Sequence, residues 1–164
     1  MKRQWRVSLV LGLLAAQAAL GGALALTNEK IPEPIAGLEC AVAEDGKSVR
    51  IALDSNPSTG YLWSYQLSAQ GMLREESQEY IPDEVPEGYV GAGGVQHYVF
   101  VPEEGAEGPV FLTFEEARPW EEEVVLAYRV DLALQKGGTL ALEGMSQPPL
   151  GLWQGAEEVV PPPQ

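Results

Sequence analysis

Val49, Ile51 and Leu53 alternate with Arg50 and Asp54, and the same two-residue period returns along the chain. Trp63, Tyr65 and Leu67 share a face opposite Ser64 and Gln66, and Leu126, Tyr128, Val130 and Leu132 share one opposite Arg129 and Asp131. Val95, His97, Val99 and Val101 alternate with Gln96, Tyr98 and Phe100, so that both faces of this segment carry apolar side chains. A period of two is the signature of a strand, whose side chains point to opposite faces in turn. Beyond the first 26 residues no stretch carries the 3.6-residue period of a helix. A chain built only of such strands has no helix to cover a sheet, so one sheet must cover another. The expected fold is therefore all-β, an antiparallel β-sandwich.

Turn residues divide the pattern into its strands. Leu38 to Ala43 reads as the first strand, and Asp45-Gly46 within Glu44 to Lys47 as a hairpin turn. Strands follow at Ser48 to Asp54, Tyr61 to Leu67, Leu73 to Tyr80, Val95 to Val101, Val110 to Glu115 and Glu123 to Leu134. Leu73 to Tyr80 is the most polar, which suits a sheet edge, where charge deters pairing with other chains. Trp63 fits a core position between the sheets. The sandwich is drawn from residue 38 to 136, after an extended lead-in over 26–37 that carries Pro32 and Pro34. Residues 137–164 are a Pro-rich acidic tail, with a short strand-like pattern at Thr139 to Glu143 and Trp153 placed to dock back on the domain.

The first 25 residues stand apart. Lys2, Arg3 and Arg6 precede a nearly unbroken apolar run from Val7 to Leu20, and Ala23-Leu24-Ala25 has the small-x-small form of a cleavage site. That is the pattern of a secretory signal peptide, so a secreted or periplasmic location is expected. The alternative is an uncleaved membrane anchor, since the apolar character persists to Leu26. Cys40 lies too far downstream for a lipoprotein.

The net charge is −14, and it becomes more negative by three once Lys2, Arg3 and Arg6 are removed. Nucleic acids and anionic membranes attract basic patches, so neither is an expected partner of the processed chain. The acidity supplies solubility or steers the chain toward a basic partner. Cys40 is the lone cysteine and His97 the lone histidine. Beside Ala41 and Val42, Cys40 reads as a buried small apolar residue rather than a reactive thiol. No local signature joins it to His97 as a catalytic pair. No nucleophile motif, metal cluster or phosphate loop is present, so neither an enzyme nor a cofactor is expected.

Three inter-strand stretches carry the functional signal. Asn56-Pro57-Ser58-Thr59-Gly60-Tyr61 is a short stiff loop: Asn-Pro initiates a turn, Pro57 restrains φ, and Gly60 permits a φ closed to other residues. A stiff tip has little conformational entropy left to lose on binding. Gly91-Ala92-Gly93-Gly94 ends a long exposed loop, and Arg118-Pro119-Trp120 forms a third. In an up-and-down run of strands, loops two strands apart leave from the same end. These three should share one edge. The bland alternatives are a well-made turn, a flexible glycine loop and an inward-packed Trp120. Tyr61 suits supporting the loop from beneath as well as touching a target.

In order and strand context the three stretches resemble the signature loops of the chagasin-like inhibitors of papain-family cysteine peptidases. Those carry Asn-Pro-Thr-Thr-Gly-aromatic, Gly-x-Gly-Gly and Arg-Pro-aromatic. Ser58 departs from the pattern, keeping the hydroxyl and losing a methyl. The resemblance covers about Leu38 to Leu134 and not the tail. It implies an immunoglobulin-like fold that reversibly blocks papain-like peptidases; because the three loops carry no reactive group, the block is expected to be non-covalent, by a monomer without a cofactor. It also implies that Asn56 to Tyr61 enters the cleft over the catalytic Cys and His, that Gly91 to Gly94 lies along the non-primed side, and that Arg118 and Trp120 meet the primed side. The rival reading is a non-inhibitory extracellular adhesion or ligand-binding sandwich.

Overall fold

Antiparallel pairing sorts eight strands into two sheets. The computed structural model describes residues 32–88 and 90–150. The N-terminal apolar segment, the first part of the lead-in and the tail beyond Leu150, Trp153 included, lie outside the described residues. The strands are β1 (Leu38–Val42), β2 (Val49–Ser55), β3 (Leu62–Leu67), β4 (Leu73–Pro82), β5 (Gly94–Pro102), β6 (Gly108–Ala117), β7 (Val124–Gln135) and β8 (Thr139–Ser146). One sheet has the order β1-β2-β5-β4 and the other β3-β6-β7-β8. Apart from β8, this is the A-B-E-D and C-F-G arrangement of a constant-type immunoglobulin domain. Among the described residues the helical content is one 3₁₀ turn, Pro57–Thr59.

The two-residue period delivers the expected faces. Val49, Ile51 and Leu53 from β2 and Leu112, Phe114, Val130 and Leu132 from β6 and β7 are buried between the sheets. Tyr98 and Phe100 join them from β5, so the two apolar faces of that strand are unequal: the Tyr98 side is the core. Tyr65, Tyr98, Phe100 and Phe114 form an aromatic cluster, with Tyr65 edge-on to Phe100 at 5.0 Å between ring centroids. Edge-to-face contacts of this kind add about 0.5–1.5 kcal/mol beyond area burial.

Trp63 occupies the position that the sequence suggested and ties the two sheets together. Its indole N–H donates to the Asp54 carbonyl of β2 at 2.9 Å, and its ring stacks on Tyr128 of β7 at 5.5 Å. The Tyr98 hydroxyl donates to the Trp63 carbonyl at 3.3 Å. Immunoglobulin domains commonly set such a Trp against a disulfide between the two sheets. Here aliphatic and aromatic packing alone fills that region.

The sheet continues past the boundary drawn at residue 136. β8 pairs with β7 from Arg129↔Ser146 to Gln135↔Thr139 and buries Leu140. Its alternation is weak in sequence because a register irregularity opposite Asp131 and Leu132 breaks the period. The Leu140 amide also donates to the Gly46 carbonyl at 2.8 Å, and the Lys47 ammonium donates to the Gly137 and Gly138 carbonyls. The β1–β2 turn thus closes over the β7–β8 turn. β4 lies at an edge as its charges suggested, with a bulge between Glu75 and Ser77.

Cys40 and His97 lie on opposite faces of their sheet. Cys40 follows Leu38 in facing the core, whereas His97 pairs with Ala52 and Glu79 on the outer side, opposite in sense to Tyr98. Burial pushes the Cys40 thiol up to about 12, so it has almost no thiolate character. The two cannot act as a pair.

Candidate functional site

β2, β4 and β6 end, and β3, β5 and β7 begin, at the same end of the sandwich. The three motif loops are therefore neighbours, as strand alternation required. Contacts join them further. The Asn56 side-chain amide donates to the Gly91 carbonyl at 3.3 Å, linking the first loop to the second. A Cβ on Gly91 would lie 3.7 Å from the Ser58 hydroxyl. The Arg118 guanidinium lies over the Tyr61 ring, 4.5 Å from its centroid, linking the third loop to the first.

The first loop is held from within. Asn56 precedes the 3₁₀ turn, and the Thr59 and Gly60 amides donate to the carbonyls of Asn56 and Pro57, each at 3.0 Å. The Thr59 hydroxyl donates to the Asn56 carbonyl at 2.7 Å, and the Ser58 hydroxyl donates to the Asn56 side-chain oxygen. Both hydroxyl protons are thus committed inside the loop, while Ser58 and Thr59 themselves stand exposed at its tip. The tip can present shape and acceptor lone pairs, and it has no free hydroxyl proton to give. Gly60 caps the turn at φ +85°, in the left-handed region that disfavours any residue with a Cβ.

Gly60 has a second reason to lack a side chain. A Cβ there would sit 2.8 Å from Trp120 Cη2 and 3.8 Å from Arg118 Nε. The Trp120 indole lies across Gly60 yet remains 71% exposed, so it neither packs into the core nor hangs free. Arg118-Pro119-Trp120-Glu121 is a β-turn closed by the Glu121 amide donating to the Arg118 carbonyl at 2.9 Å. Pro119 occupies the position where a fixed φ suits such a turn. Arg118 also donates to the Glu121 carboxylate at 3.0 Å, and that bond raises the guanidinium above its ordinary value.

The four residues of the second motif differ among themselves. Gly91 is exposed at φ +79°, and Ala92 and Gly93 are half-buried. Gly94 is buried, opening β5 between Ser55 and Pro82; a Cβ there would meet the Ile81 carbonyl and lie 2.8 Å from Pro82 Cα. Gly94 is therefore required by strand packing.

Three features at this end were not among the site residues expected from the sequence. The lead-in crosses the mouth of the sandwich, with the Tyr128 hydroxyl donating to the Ala36 carbonyl at 2.7 Å and the Asp54 amide to the Gly37 carbonyl at 3.1 Å. Glu116 faces inward beside Trp63 at the loop end of β6, and burial raises its carboxyl above the ordinary range. Glu121 is the partner of Arg118. The acceptor three residues after Arg118 was readable in sequence, but its pairing required the turn. Among the described residues there is no group of His, Cys, Asp or Glu that could hold a metal ion.

Comparison with known proteins places residues 42–133 within the family described as chagasin family peptidase inhibitor I42. Amoebiasin-1 of Entamoeba histolytica is 33% identical over 75 residues, spanning 46% of this chain and 69% of that protein. The structure of the cysteine protease inhibitor EhICP2, also from Entamoeba histolytica, aligns with a TM-score of 0.47 at 22% identity, over 54% of this chain and 78% of that one.

Proposed function

The chain belongs to the chagasin family of peptidase inhibitors, and from that premise we propose that it reversibly blocks papain-like cysteine peptidases with the three loops at one end of its sandwich. It is an inhibitor and not an enzyme, and the blocked group is supplied by the target. The first loop, residues 56–61, fills the cleft over the target's catalytic Cys and His. Gly91 to Gly93 lies along the non-primed side, where a backbone with little side chain can approach closely. Trp120 anchors the primed side. Aromatic residues of this kind dominate interface energetics.

One observation carries the reading. Of the exposed large apolar residues among the described residues, Leu62, Ile81, Val85, Val90 and Trp120 lie on or beside the three loops, and Leu150 follows β8. None lies on the turns at the opposite end of the sandwich. Apolar surface gathered at one end of an otherwise acidic domain marks an interaction site, and the loops there are already cross-linked by their own contacts. The inhibitor acts as a single copy after export and removal of residues 1–25. The lead-in enters β1 at the loop end, so a retained anchor would hold the loops facing the bilayer within a reach of about 40 Å, which favours the cleaved form.

The test is titration of papain with the purified chain and a fluorogenic substrate, followed by dilution. Inhibition that is lost on dilution, with intact inhibitor recovered, fits a non-covalent wedge. A folded chain that leaves papain unaffected at micromolar concentration would return the molecule to the adhesion or ligand-binding class.

A further inference from the structure

Tyr61, Arg118 and Glu121 form a chain of contacts that the inhibitory reading does not use. Tyr61 is half-buried at the end of the first loop, with its ring beneath the Arg118 guanidinium at 4.5 Å. Glu121 reaches the same guanidinium at 3.0 Å and is held by the turn hydrogen bond of its own backbone to Arg118. The Arg118 Nε is sealed from solvent against Gly60 and makes no hydrogen bond among the described residues. The head group is therefore occupied on one face by an aromatic ring and on one edge by a carboxylate. Trp120 lies between the two anchored ends of its turn, seated on Gly60.

We infer that Glu121 and Tyr61 are positioning residues: they clamp Arg118, and through it lock the third loop onto the first, so that Trp120 is held in its binding position before the target arrives. A guanidinium over an aromatic face within about 6 Å is attracted by the ring quadrupole. The carboxylate fixes which way the planar fork points, and its geometry favours arginine over lysine. Pre-forming a two-loop surface lowers the ordering cost of binding, so the clamp contributes to affinity without touching the target. Arg118 in this scheme faces inward to its own loops. The surface that it organises is made of Ser58, Thr59, Gly60 and Trp120.

The inhibition arm of the test rests on the reading of the preceding subsection, and the spectroscopic arm does not. In the free protein, nuclear magnetic resonance should show the Arg118 side-chain protons shifted upfield by the Tyr61 ring. The shift is expected to persist in Tyr61→Phe, vanish in Tyr61→Leu and diminish in Glu121→Ala, with the Trp120 indole signal moving in the last two. Unshifted Arg118 protons in the folded wild type would overturn the clamp whether or not the chain inhibits anything. Against papain, Glu121→Ala and Tyr61→Leu should each weaken inhibition about two- to fivefold, the range open to exposed charge contacts. Tyr61→Phe, which keeps the ring under Arg118, should lose less inhibition than Tyr61→Leu.

In an Arg118→Met background, Glu121→Ala should have no further effect, because residues acting through one partner are not additive. Equal weakening in both backgrounds would mean that Glu121 acts without Arg118 and would sink the inference. So would tighter inhibition by Glu121→Ala, since a freed Arg118 would then be the contact.

Discussion

Gly60→Ala tests the centre of the site with one methyl group. The native φ is +85°, and an L-residue in the left-handed region costs about 1–2 kcal/mol. Removing glycine also stiffens the unfolded chain, which offsets about 0.4–1 kcal/mol of that cost. The net loss of stability is then about 1 kcal/mol, read as a lower denaturant midpoint with an unchanged slope. The second effect is steric. The new Cβ would stand 2.8 Å from Trp120 Cη2, inside van der Waals contact. Trp120 is exposed and can swing away at little cost to the fold, so the clash is relieved by losing the indole's position. Inhibition should therefore fall further than stability does. Its upper bound is removal of the anchor, about 2 kcal/mol or roughly 30-fold. The assay pairs inhibition constants against papain with urea denaturation of the same samples. If Gly60→Ala kept both its midpoint and its inhibition constant within twofold of wild type, the φ argument and the seating of Trp120 would both be wrong.

Trp120→Ala should weaken inhibition by about 30-fold while leaving the melting temperature almost unchanged, because the indole is solvent-exposed. Thr59→Trp should fold normally by circular dichroism and lose most inhibition, since the tip would no longer fit a narrow cleft, whereas Ser58→Thr should inhibit as well as wild type or slightly better. Cys40 should resist alkylation at pH 8 in the folded state and react only on unfolding, because its thiol sits at about 12; Cys40→Ser should inhibit like wild type once folding is verified. Glu116, raised by burial above its ordinary 4.5, stabilises the fold when protonated and loses that contribution as pH rises through its folded value. Glu116→Gln should therefore raise the denaturation midpoint at pH 7 and leave it nearly unchanged at pH 4.

The strands and the shared loop end were legible in the sequence because both follow from local rules. A two-residue period sets each strand's faces, and alternation of strand direction sets which loops are neighbours. That reasoning located Val49, Ile51 and Leu53 in the core, put Trp63 between the sheets, and brought residues 56–61, 91–94 and 118–120 to one edge. The positive φ at Gly60 was readable for the same reason, since a turn of that composition needs it. Tertiary structure decided what depends on register and on distances between segments far apart in the chain. The β-bulge opposite Leu132 let β8 join the sheet although its alternation is weak. Facing directions separated Cys40 from His97, and backbone approach at Ile81 made Gly94 a packing requirement. Strand length and sheet twist set how far the first and third loops project, which brings the Trp120 indole across Gly60 and the Tyr61 ring under Arg118. Side-chain periodicity carries no record of such loop-to-loop distances, so only the folded chain could show that the motifs bind to one another.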